Sequence, residues 1–93
     1  MALKTTRYDT ADYLKTKKDV VAYLNAVLEE DDPALIAHAL GVVARAEGMG
    51  EIAKQAGLTR PSLYKALSEG GQPEFSTVLK VVRALGLKLT VAT

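Results

Sequence analysis

The stretch Glu51-Ile-Ala-Lys-Gln-Ala-Gly-Leu-Thr-Arg-Pro-Ser-Leu-Tyr-Lys-Ala-Leu67 constrains this chain more than any other. It reads as two helices separated by a turn of only a few residues. Such a turn needs a residue that accepts positive φ, and Gly57 supplies it. Little room exists where the helices cross, and Ala53 is small enough for that place. Ile52, Ala56, Leu58, Leu63 and Ala66 fill the angle between them. The pattern predicts a helix-turn-helix from about Gly50 to Leu67. Its second helix has a polar, basic first turn, as a helix that reads DNA requires. Thr59 caps this helix and can donate its hydroxyl to a phosphate. Arg60 is the first candidate for a base contact, because its fork matches the two acceptors of guanine. Ser62, Tyr64 and Lys65 share the exposed side, and Pro61 stiffens the tip. The same pattern also suits a helical hairpin that packs and binds nothing.

Length and composition narrow the alternatives. A chain of 93 residues makes one domain with a thin core, which docking to a second copy would help. Cysteine is absent, which removes disulfides, thiolate metal sites and cysteine nucleophiles, and suits a reducing cytoplasm. No apolar run approaches the ~20 residues of a membrane span. The opening MALKTTRYDTADYL has no apolar centre and carries acids early, unlike a secretion signal. The net charge of +1 is unevenly spread. Up to Asp32 there are 5 cationic and 7 acidic side chains; from Pro33 on there are 7 and 4. The basic part can face phosphate while the acidic part faces something else, although chance also produces such a bias.

The punctuation divides the chain into a helical extension (8–32), a core (33–86) and a tail (87–93). Residues 1–7 read as loose, and Asp9 to Leu14 as one helical turn. Thr16 and Asp19 form a capping-box pattern for a helix to about Glu29, with Val20, Leu24, Val27 and Leu28 as its stripe and Val21 and Tyr23 beside it. Asp32-Pro33 starts the next, to about Ala46, with Leu35, Ile36, Ala39, Leu40 and Val43 on one face. Gly48 is its stop. Short helices follow over 51–56 and from Thr59 to Leu67. Gly70-Gly71 breaks the chain, and Gln72-Pro73 opens a last helix with Phe75, Val78, Leu79, Val82 and Leu85 inward. Gly86 closes it. The alternation in Leu87-Lys88-Leu89-Thr90-Val91 predicts a short strand, to be paired across a dimer or with another protein.

A family resemblance rests on several blocks. Pro33 to Leu85 resembles the helix-turn-helix of Xre-type phage repressors. Tyr8-Asp-Thr-Ala-Asp-Tyr-Leu14, Tyr23-Leu24-Asn25, Asp32-Pro33-Ala34-Leu35, Leu63-Tyr64-Lys65-Ala66-Leu67 and Pro73-Glu-Phe-Ser-Thr-Val-Leu-Lys-Val-Val-Arg-Ala-Leu-Gly-Leu-Lys-Leu89 together resemble the HigA-like addiction-module antidote (antitoxin) proteins. The resemblance implies an all-α, lambda-repressor-like five-helix domain with an extra N-terminal helix. It implies a RelE/ParE-like ribonuclease toxin as partner, and a homodimer that binds an inverted-repeat operator and represses its own operon. The two reading helices would then lie about one DNA turn apart, ~34 Å. By the same resemblance Thr59, Arg60, Pro61, Ser62 and Lys65 stand where phage repressors touch DNA. Ser68, Gly71, Gln72 and Ser76 stand where a second backbone contact falls. By the same resemblance, Met49 and Gly50 stand where a polar residue at the start of the motif's first helix often holds a phosphate.

The remaining residues are weaker candidates. His38 is the only histidine and reads as structural or surface. Glu29, Glu30, Asp31 and Asp32 read as a solvated helix end rather than a metal site. Met49 and Phe75 read as core or near-core. Gly70-Gly71 lacks the lysine–serine or lysine–threonine pair of a phosphate loop. Lys80, Arg83 and Lys88 read as a solvated face. Tyr8 and Tyr13 are candidates for a toxin contact or for closing the fold. No nucleophile, base and orienting residue come together, so neither an enzyme nor a cofactor is expected. A stand-alone repressor, and an interaction module that does not bind DNA, are the alternative readings.

Overall fold

Thr16 opens the first helix as its sequence demands. Its hydroxyl accepts from the Asp19 amide at 3.1 Å, while Asp19 Oδ2 accepts from the Thr16 amide at 3.0 Å. The reciprocal pair satisfies two donors that a helix start leaves free. A computed structural model describes residues 14–68 and 70–93. The readings made for residues 1–13, Tyr8 and Tyr13 among them, lie outside the described residues.

Five helices occupy the described residues: α1 (Lys17–Leu28), α2 (Pro33–Glu47), α3 (Met49–Ala56), α4 (Arg60–Ala66) and α5 (Phe75–Ala84). Asp32 Oδ1 accepts from the amides of Ala34 and Leu35, and Pro33 occupies the first helical position. Gly48, at φ 110°, ends α2 and begins α3 in one step, so α3 starts two residues before the predicted Glu51. Gly57 ends α3 in the left-handed region at φ 75°. There the Leu58 amide reaches the Ala53 carbonyl and the Gly57 amide reaches that of Lys54, the two bonds of a Schellman stop.

Helix α2 lies at the centre, against α1, α3 and α5, while α3 packs on α4 and α5. It is therefore covered on most sides: from Ala37 to Ala44 only His38 is exposed. The predicted single apolar face understated this, since Ala37, Val42 and Ala44 are buried too. Leu63 of α4, Val43 of α2 and Val81 of α5 are the largest fully buried side chains. Gly41 permits the closest approach: a Cβ built there would stand 2.9 Å from the Leu67 carbonyl oxygen, just past α4. Lys17 Nζ donates to the Leu85 carbonyl at 2.8 Å, tying the start of α1 to the end of α5.

Four expectations need correction. Phe75 is not core: it is 68% exposed. The inward seam of α5 is Val78, Val81, Val82 and Leu85; Phe75 overhangs its first turn, and Leu79 lies on its flank, also exposed. On α1, Val20 and Val27 are buried but Leu28 is 40% exposed, because the stripe outruns the surface beneath it. The strand over 87–91 is absent: among the described residues there is no strand, and the tail has no neighbour to complete a ladder. Leu87 packs half-buried on the core, whereas Leu89 and Val91 are exposed. The last helix also starts at Phe75 rather than at Gln72-Pro73, because Glu74, at ψ 156°, is still extended and serves as the N-cap. Among the described residues no helix is long and apolar enough to cross a membrane.

Candidate nucleic-acid interface

Helix α4 is fixed from one side only. Leu63 is fully buried, while Arg60, Pro61, Ser62, Tyr64 and Lys65 are exposed, as is the capping Thr59. This is the division that the sequence predicts between anchoring and outward residues.

The cap has more detail than its sequence reveals. Thr59 Oγ1 accepts from the Ser62 amide at 3.1 Å, as an N-cap does. Its own hydroxyl donates to Ser62 Oγ at 2.8 Å. The proton predicted to reach a phosphate from Thr59 is therefore engaged within the helix. The outward donor of this pair is the Ser62 hydroxyl, whose oxygen is already the acceptor. Arg60 turns along the helix, with its guanidinium carbon 5.6 Å from the centroid of the Tyr64 ring.

The segment after α4 is drawn against it. Ser68 Oγ donates to the Lys65 carbonyl at 2.9 Å, and the Gly71 amide donates to the Ser68 carbonyl at 2.8 Å. A Cβ on Gly71 would stand 2.5 Å from the Ala66 carbonyl oxygen and 2.7 Å from that of Lys65. Only glycine fits so close. This contact brings Ser62, Lys65, Ser68 and Gln72 around one cleft, which Glu74 and Thr77 also line. Glu74 adds a negative charge that the sequence reading did not place there. Ser76 is exposed but does not line this cleft.

Arg45 and His38 were not counted as site residues, yet both line a second cleft with Tyr64 and Ser68. Their places on α2 carry no motif, and only the packing of α2 beside α4 brings them there. Arg45 also lies close enough to Tyr23 to act on it. Burial pushes the Tyr23 phenol above its ordinary pKa, and the Arg45 charge opposes this. At the start of α3, Met49 is buried and no side chain caps the helix.

A separate apolar groove runs between α1, α2, α5 and the tail. Val21, Leu24, Leu28, Ile36, Val78 and Leu89 line it. Phe75 lines an adjoining depression that also includes Asp31 and Asp32. Among the described residues no three histidine, aspartate or glutamate side chains gather as a metal site would need.

Comparison with known proteins adds a family. Residues 4–93 match the model of a family described as "Probable addiction module antidote protein". An uncharacterised protein of Haemophilus influenzae is 48% identical over 84 residues, which cover 90% of this chain and 87% of that one. No solved structure matches.

Proposed function

The chain belongs to the family of probable addiction module antidote proteins, and from that premise we propose that it is the antitoxin of a type II toxin–antitoxin pair and represses its own operon by binding operator DNA. Membership implies a cognate toxin. A RelE/ParE-like ribonuclease is the class we assign to it, and the chain itself acts by binding rather than by catalysis.

One observation carries the DNA reading. Helix α4 holds on to the core through buried Leu63 and turns Arg60, Ser62, Tyr64 and Lys65 outward. A short helix seated this way can enter a major groove with its first turn at the base edges. Lys65, Ser68 and Gln72, gathered beside it, suit the flanking phosphates. A homodimer would repeat this face on an inverted repeat. The apolar groove between α1, α5 and the tail suits a protein partner, and we assign the toxin contact to it.

A gel-shift assay on the promoter of the chain's own gene tests this reading, with and without the product of the neighbouring gene. Retardation by the chain alone, altered on adding its neighbour, is the expected result. Failure to shift the promoter would remove the repressor role; failure of the two proteins to co-purify would remove the toxin.

A further inference from the structure

Arginine at the tip of a reading helix can serve in two ways. It can supply a positive charge to a phosphate, for which its orientation matters little. It can also present its planar fork to a base, for which orientation decides everything. An exposed arginine left to itself samples many rotamers, and each must be given up on binding.

Arg60 is not left to itself. Its guanidinium lies over the Tyr64 ring, 5.6 Å from the centroid, one helical turn away. This is within reach of an attraction between a cation and the negative face of an aromatic ring. A guanidinium held through its face keeps its N–H donors, which lie in the plane, available at the edge. Although 43% exposed, Tyr64 borders a cleft formed with His38, Arg45, Met49 and Leu67 of the neighbouring elements. The ring thus lies between Arg60 on one side and this cleft on the other.

We propose that Tyr64 is a specificity-determining positioning residue: its ring holds the Arg60 fork edge-outward so that it selects one guanine in each operator half-site. The inference rests on the DNA-binding reading above. A phosphate contact would not need the ring, so Tyr64 separates the two uses of Arg60.

The test uses the full chain and duplexes selected from a randomised double-stranded library. Fluorescence anisotropy then compares the selected duplex with versions carrying adenine or 7-deazaguanine at each guanine in turn. The unsubstituted chain should lose about ten- to a hundredfold in affinity at one guanine per half-site. Tyr64→Phe, which keeps the ring, should preserve that discrimination. Tyr64→Ala should reduce it to about threefold or less, as should Arg60→Ala, and the double variant should lose no more than either alone. The slope of affinity against salt should not change in Tyr64→Ala, because no phosphate contact is lost. Circular dichroism verifies that each variant is folded. Full discrimination in Tyr64→Ala, or an equal loss against every sequence, overturns the inference and leaves DNA binding intact. Loss of discrimination in Tyr64→Phe overturns it also, by assigning the effect to the hydroxyl. An unsubstituted chain that binds no duplex removes both the inference and the reading beneath it.

Discussion

Tyr23 shows how much a single side chain can report. Burial makes its phenolate costly in the folded chain, so the proton leaves at a higher pH there than in the unfolded chain. Below about pH 10 both states keep the proton and stability is complete. Above it the unfolded chain ionises first, and stability declines until the folded pKa is passed. Melting temperatures measured from pH 8 upward should therefore fall above about pH 10, and fall less steeply in Tyr23→Phe. Thr59 gives a second expectation. Thr59→Ala should cost about 1 kcal/mol in urea unfolding, and Thr59→Ser much less, because serine also caps. The caps at Thr16, Asp32 and Thr59 were legible because capping depends on neighbours a few residues away. The engagement of the Thr59 proton by Ser62 and the placement of Arg60 over the Tyr64 ring were not, since rotamers select among several local partners.

Helices were legible in order and approximate length, because proline, glycine and capping residues act locally. Their faces were legible only where the neighbouring element extends as far as the stripe does. Phe75, Leu79 and Leu28 continue apolar patterns past the end of their support. The approach of α2 to α4 was illegible, as nothing marks Gly41 apart from other glycines. Gly41→Ala would press a methyl against the Leu67 carbonyl and should destabilise the chain by about 1–3 kcal/mol. Gly50→Ala supplies the contrast. Its Cβ would meet nothing within 4 Å on α3, and it should stabilise by about 0.5 kcal/mol. Denaturant midpoints of the two variants should move in opposite directions.

At the scale of the molecule, the acidic first third and basic remainder were visible in the sequence, and a polar helix face and an apolar groove were added by folding. The two surfaces should be separable. Leu28→Gln with Phe75→Ser, both at exposed positions, should abolish co-purification with the toxin while leaving the promoter shift in place. Affinity for the promoter should fall at least about a hundredfold between ~50 and ~200 mM salt, as counterion release by several phosphate contacts requires. A flat salt response would sink the DNA reading. The groove was illegible as a unit because its lining comes from α1, α2, α5 and the tail, far apart in the chain.

The attachment of α4 through Leu63 has a consequence for divergence between related operons. Under the proposed function, a helix whose outward residues lie off the core can exchange them without disturbing what lies beneath. Gene pairs copied within a genome could then acquire separate DNA addresses quickly, each deaf to the other's promoter, while inheriting the same scaffold unchanged.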